Sequence, residues 1–467
     1  MSAGDSHLPP GPPWPSWIQL LGTWTRPAGV MLRLRDHYGP RFSVRLPFRG
    51  QMVIISDPAE IQELFQAPAD VVHPGEGTAV LEPVVGRHSL LLLDEDPHLE
   101  HRRLLLPAFH GERMAGLAGL MRELTAAEVD TWPTGETLRL HGRLQRLTLE
   151  IILRAVFGLE RGSRLDDLRE AVTELLGFAE NPVSIVPALQ RYLGWTRTQQ
   201  RFERVRARTD ALITEIVADR RVALGEDPDL AEHAPDVLTM LLGARHEDGS
   251  PMGGQEIRDE LVTALVAGHE TTASQLAWLF MRLAREPQVT RRVQGELSET
   301  AGRGGPYLTA TIHEIQRLHP VVANAEPRFV KSPLRIGDIT YPPGVVILAS
   351  NFLSGRNPEL YPQPLAFRPE RFLARPPGTY TWTPFGGGRR RCIGAAFAQQ
   401  EMRIVAAEVL TRFDLDAPTP RLERARRRAI TLSPVDGAAV TLIARREDRS
   451  RMGIGERDGS AHAAQAL

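Results

Sequence analysis

The sequence predicts a mainly helical protein that carries small peripheral β-sheets. Two observations lead there. Four long segments, residues 112–131, 143–159, 198–224 and 255–285, place apolar residues at helical spacing in a background rich in Leu, Ala, Arg and Glu. Alternating or proline-punctuated stretches are confined to residues 42–55, 334–372 and 430–442. A chain of 467 residues favours about three domains by length alone. No break in composition divides it, however, and no repeat or heptad is present. Residues 1–445 therefore read as one domain with a proline-rich leader over about 1–22, and residues 446–467 as a disordered tail.

The elements follow in order. Phe42, Val44 and Leu46 alternate with polar residues, and a second apolar run over 52–55 follows Arg49-Gly50, which predicts a hairpin. Asp57-Pro58-x-Glu60 then opens a helix: Asp57 can cap, Pro58 suits the first turn, and Glu60 sits where a capping box wants it. The four long helices fill the middle. Residues 345–349 read as a strand beside the turn Tyr341-Pro342-Pro343-Gly344. Residues 430–442 read as two strands around Asp436-Gly437, a strong hairpin signal.

Bulk properties exclude several function classes. Lys+Arg number 56 and Asp+Glu 57, so the global charge suggests neither a nucleic-acid partner nor an anionic membrane. A single cysteine rules out an internal disulfide framework and any CxxC zinc site, and it fits a reducing cytosol. The N-terminus has no basic region ahead of its short apolar stretch, which falls well below the ~20 residues of a membrane span. Gly453-x-Gly455 lacks the leading strand and following helix of a dinucleotide site.

That one cysteine, Cys392, lies in PFGGGRRRCIGAAF, on a glycine- and arginine-rich loop ahead of a helix expected from residue 393 to about 413. Glycines let a backbone lie close to a flat ligand. Helix amides and neighbouring arginines favour a thiolate. One sulfur with no nearby histidine suits an iron whose other ligands come from a macrocycle. A buried apolar cysteine and a nucleophile are the competing readings. The pattern Phe385-x-x-Gly388-x-Arg390-x-Cys392-x-Gly394 fixes five positions in ten, and it resembles the haem-binding loop of the cytochrome P-450 family. The resemblance implies that fold, a helical triangular prism with small sheets, and non-covalent haem b (protohaem). Cys392 would be the axial ligand of the haem iron, Arg390 a propionate partner and Phe385 a neighbour of the sulfur. Gly388 and Gly394 would give close approach to the porphyrin.

A second motif lies in the helix predicted over 255–285. Gly268 in a helix interior costs about 1 kcal/mol relative to alanine, so it calls for a reason such as room for a ligand. Glu270-Thr271 puts an acid beside an alcohol, which taken alone reads rather as a solvated Glu and a Thr bonded back to its helix. HExxH zinc chemistry fails because Ala273 stands where His is needed. The run Ala267-Gly268-x-Glu270-Thr271-Thr272 resembles the family's oxygen-side motif, which implies that Glu270 and Thr271 relay protons so that the O–O bond breaks heterolytically.

Supporting motifs fit the same family. Glu314 and Arg317, three apart on one helix face, resemble the ExxR pair, with Arg371 in FRPERF completing a structural network. Arg328 resembles a propionate-binding arginine. His98 and Arg102 resemble the helix that grips the propionates from the other side. Gly355 stands where many members have histidine, which should loosen a structural contact. Family position gives pocket candidates over 75–91 and at Ala264, Ala267, Val322, Ala323, Asn324, Ala325 and Ser433. Asn324 and Glu326 either touch substrate or bond solvent and local backbone.

The resemblance implies a cytoplasmic monooxygenase that hydroxylates or epoxidises a hydrophobic small molecule of terpenoid, polyketide, fatty-acid or steroid type. Its co-substrate would be O2. Only 75 residues follow Cys392 (467 − 392), so electrons should come from NAD(P)H through a separate ferredoxin and ferredoxin reductase. Arg389 and Arg391 either dock the ferredoxin or simply solvate the loop. A peroxide-driven or rearranging haem-thiolate enzyme, a haem sensor, and a distant zinc or thiol hydrolase are the alternatives.

Overall fold

A computed structural model describes residues 8–47, 50–109, 112–179, 197–226, 236–428 and 430–445. The expected tail over 446–467 and the Gly453-x-Gly455 pair lie outside the described residues. The four long helices form as Glu112–Val129, Leu140–Phe157, Arg197–Glu226 and Gly254–Leu283. The last is the central helix. It packs against Leu140–Phe157, against the proximal helix Ala395–Arg412 and against the ExxR helix Pro306–Leu318. Together they enclose the largest apolar cluster, with Trp278, Phe280, Phe157 and Phe413 almost wholly buried.

Strands are short and peripheral. β1 (Arg41–Leu46) and β2 (Gly50–Ile55) pair antiparallel with Phe42 opposite Ile54. β2 continues in parallel with β8 (Val346–Ala349). β5 (Arg328–Val330) and β3 (Val72–His73) complete that sheet in the order β1-β2-β8-β5-β3, while β6 (Leu334–Ile336) and β7 (Ile339–Tyr341) pair antiparallel as a separate hairpin. Pro10 O accepts the Ser43 amide at 2.9 Å, which lays residues 8–13 along β1, and Ser16–Thr25 is helical.

At the helix Pro58–Gln66, Asp57 Oδ1 accepts the amides of Ala59 (2.9 Å) and Glu60 (3.2 Å), as its cap position requires. The box does not close: the Glu60 carboxylate takes Arg41 at 2.8 Å instead.

The hairpin expected around Asp436-Gly437 is not formed. β11 (Thr431–Pro434) pairs with β10 (Ala425–Arg428), while β12 (Ala439–Ala444) pairs with β4 (Thr137–Arg139) and β9 (Phe413–Asp416). The turn's amides are held elsewhere. Glu423 accepts those of Asp436 (2.8 Å), Ala438 (3.2 Å) and Ala439 (2.7 Å). The carbonyls of Gly437 and Ala438 in turn accept the amides of His141 and Leu140.

The ExxR network forms. Arg317 donates to both Glu314 oxygens at 2.7 Å, and Arg371 Nε reaches Glu314 Oε1 at 3.3 Å. Arg317 also donates to the carbonyls of Gly355, Pro364 (2.8 Å) and Ala366 (3.3 Å), which clamps the irregular stretch ahead of the cysteine loop. Gly355 loosens nothing. A Cβ there would lie 2.5 Å from Arg317 O, so the missing side chain permits the close approach. Arg356 is buried beside it, stacked 3.8 Å over the Phe352 ring and bonded to Leu318 O.

Candidate active site

Residues 384–394 form a closed loop. Phe385 O accepts the Cys392 amide at 2.9 Å, and Gly386 and Gly388 take φ of +66° and +64°. At Gly388 the space a side chain would need is filled by protein. A Cβ on it would fall 2.2 Å from Phe65 O, and one on Gly387 would fall 2.2 Å from the Phe65 ring. These glycines seat the loop on the end of Pro58–Gln66. Gly394 differs, since a Cβ there meets nothing within 4 Å. Phe385 packs at the edge of the main cluster, 6.0 Å from Trp382, whose Nε1 donates to His313 O on the ExxR helix.

Cys392 presents open surface. Burial nonetheless raises its thiol pKa, against the Gly394 amide and the charges of Arg102 and Arg391. The surrounding charge does not by itself hold a thiolate, contrary to the sequence expectation, because burial outweighs it.

Basic side chains gather around this loop. Arg390 donates to Leu90 O (2.9 Å), Leu93 O and Asp94 (2.6 Å), so it first ties the loop to residues 90–94. Arg328 is buried and pairs with Glu326 at 3.0 Å. Glu326 is thus a partner of the basic cluster, although its Oε1 has no hydrogen bond among the described residues. His98 and Arg102 share one face of the helix Glu95–Leu105. Among the described residues no hydrogen bond or ion pair takes either side chain. Burial, with Arg390, Arg102 and Arg328 nearby, pushes the His98 pKa down to about 3. Burial likewise lowers that of Arg102. A half-buried guanidinium without an anion, beside a buried neutral imidazole without a partner, calls for a ligand that carries carboxylates.

The central helix is buried along most of its length, yet Ala267 is exposed and Ala264 and Thr271 are half-buried. Thr271 Oγ1 donates to Ala267 O at 2.6 Å. Gly268 makes room for protein, because its Cβ would meet Ile152 Cδ1 at 3.0 Å. Glu270 points away from Thr271, as adjacent residues stand about 100° apart around a helix. Its carboxylate accepts from Gln145 (2.6 Å) and Ser274 (2.9 Å) and lies 3.3 Å from His141 and 4.0 Å from Arg428. Burial would raise this carboxyl, but His141, Arg428 and Ser274 outweigh it and hold the pKa at about 2. The acid–alcohol pair is therefore not in contact, and the clamp around Glu270 is what sequence reasoning missed. Its available signal was the i, i+4 spacing of 141/145 and 270/274.

The pocket candidates divide. Val322, Ala323 and Asn324 are half-buried, and Asn324 Oδ1 has no hydrogen bond among the described residues. Ala325 and Ser433 offer almost no surface. Ala325 belongs to the core under the five-stranded sheet, and Ser433 is closed within β11. A further unforeseen group is Glu401 on the proximal helix. It is wholly buried, near Thr272, and burial holds its carboxyl well above the usual range.

A lone sulfur on a glycine loop, unpaired His98 and Arg102, and a small exposed face on the central helix fit protohaem in chemistry. The family model for cytochrome P450 matches residues 8–436. The chain belongs to the cytochrome P450 family. It is 36% identical over 445 residues to cytochrome P450 135B1 of Mycobacterium tuberculosis, covering 94% of this chain and 92% of that one. It is 34% identical over 437 residues to cytochrome P450 138 of the same organism, covering 93% and 96%. Among solved structures, the retinoic acid-bound cyanobacterial CYP120A1 superposes with a TM-score of 0.79 at 23% identity, covering 94% of this chain and 99% of that one. The P450DA haem domain superposes at 0.77 and 22%, covering 94% and 98%. The fold is that of the P450s, and the protein is a P450 haem-thiolate monooxygenase.

Proposed function

We propose that this P450 inserts one atom of O2 into an apolar small molecule of terpenoid, polyketide, fatty-acid or steroid type. Two electrons come from NAD(P)H through a ferredoxin and its reductase, in the cytoplasm, and residues 1–445 act as one domain. The observation that carries the reading is Cys392 on its closed loop beside the unpaired Arg102 and His98. When bound, haem ligated by a thiolate would supply oxygen activation and electron push. Cys392 would be that ligand. Arg102, His98 and Arg328 would take the propionates, with Arg390 holding the loop in place.

The chain's own work is binding and proton control. Ala264, Ala267, Val322 and Ala323 offer small apolar surface to substrate, and Asn324 a polar contact. Thr271 holds its hydroxyl on Ala267 O, where it can pass a proton onward. Glu270 stays ionised among its four partners and must swing out of them to serve Thr271. No helix among the described residues is long and apolar enough to cross a membrane. The ferredoxin would dock on the face carrying the exposed Arg389 and Arg391.

Coupling measured on Thr271→Ala tests the reading. With ferredoxin, reductase and NADPH, reductant consumption should continue while product per electron falls about tenfold, the rest leaving as peroxide or water. Unchanged coupling contradicts the role of Thr271. Turnover with peroxide but none with ferredoxin contradicts the redox assignment.

A further inference from the structure

The N-terminal helix Ser16–Thr25 is inverted. Its only buried residue is Gln19, whose Nε2 donates to Pro12 O (3.1 Å) and Trp14 O (2.7 Å) and whose Oε1 accepts the Arg45 amide (2.8 Å). The apolar residues face out: Trp14 is 49% exposed, Trp17 62%, Ile18 37% and Leu21 56%. Trp17, Ile18 and Leu21 share one helix face, with Trp14 just ahead of it. From Leu8 to Thr25 the chain carries no charged residue.

The surroundings are the opposite. The helix packs against β1, against the next helix, Pro27–Tyr38, and against β10. Those elements and the junction hold Arg26, Arg33, Arg35, Arg41, Arg45, Arg426, Arg427 and Arg428, with Asp36 the one acid. Asp36 is taken by Arg35, and Arg41 pairs with Glu60 and Asp338. Arg26, Arg33, Arg45 and Arg426 are exposed and have no carboxylate partner among the described residues.

We propose that this helix is an interfacial docking element that seats the enzyme on an anionic lipid surface. An uncharged face bearing two indoles suits the headgroup boundary, and a rim of arginines suits acidic headgroups. A second copy fits worse, because a two-fold contact would set the arginine rims against each other. The near-neutral total of 56 cations and 57 anions hides this local field. β10 also carries Arg428 to Glu270, so the docking face lies one strand from the candidate active site.

The test is co-sedimentation of the full-length holoenzyme with vesicles. Vesicles of phosphatidylcholine with phosphatidylglycerol should pellet the protein, phosphatidylcholine alone should not, and salt should weaken binding. The double variant W17S/L21S should lose at least tenfold in partitioning with haem content and thermal midpoint unchanged. R26Q/R33Q should lose the preference for anionic lipid. The proposal fails if no vesicle binds, or if W17S/L21S binds like wild type. It fails equally if sedimentation velocity shows a dimer that W17S/L21S dissociates, since a second copy then covers the face. A clear fall in the thermal midpoint of W17S/L21S also overturns it, because the face then contributes to the fold instead of standing open to lipid.

Discussion

Replacing Arg317 with leucine should separate a structural network from a decorative one. Glu314 is fully buried and Arg317 is 2% exposed, so the change strands a carboxylate in the core. Breaking a buried pair in this way costs about 3–5 kcal/mol. Here Arg371 Nε at 3.3 Å and the Arg368 amide at 2.8 Å remain on Glu314, which favours the lower end. The carbonyls of Gly355, Pro364 and Ala366 lose their donor as well, at about 1 kcal/mol each. The sum is about 6 kcal/mol, comparable to the whole stability of many domains. Urea unfolding followed by far-UV circular dichroism should show that loss, and haem per chain should fall to a small fraction of wild type. The double variant Glu314→Leu/Arg317→Leu removes the stranded charge and should recover about 3 kcal/mol. A single variant within 1 kcal/mol of wild type, with normal haem content, refutes the reasoning. So does a double variant no more stable than the single one.

Two further outcomes follow from the site. Glu270 has its pKa lowered from 4.5 to about 2, so it stabilises the fold fully above pH 4.5 and loses that contribution as pH falls toward 2. Glu270→Gln should flatten the stability profile across that window by about 3 kcal/mol and leave its slope near pH 7 unchanged; an unaltered acid limb contradicts the clamp. Gly388→Ala places a Cβ 2.2 Å from Phe65 O at φ +64°, so the loop must lift from the helix Pro58–Gln66. The thermal midpoint should fall by several degrees and haem content should drop; a neutral result removes Phe65 as the seat of the loop.

The sequence made legible whatever is local or carried by a dense motif. Helical periodicity gave the four long helices within a few residues, the Asp57 cap was readable from its own neighbours, and the cysteine loop named its family. What escaped depends on partners distant in sequence. The Asp436-Gly437 turn looked like a hairpin because nothing nearby says that Glu423 holds its amides. Gly388 and Gly268 were read as clearance for a ligand, whereas their neighbours are Phe65 and Ile152, more than 100 residues away. Glu270 was read beside Thr271 because they adjoin in sequence, yet the helix turns one toward His141 and the other toward Ala267.

The central claim is sulfur from Cys392 on a haem iron, and the reduced carbon-monoxide complex tests it most directly. Wild type should show the strongly red-shifted Soret band of a thiolate-ligated haem, and Cys392→His should bind haem without it. A shifted band that persists in Cys392→His, or wild-type protein whose haem carries imidazole or water in place of sulfur, would contradict the account.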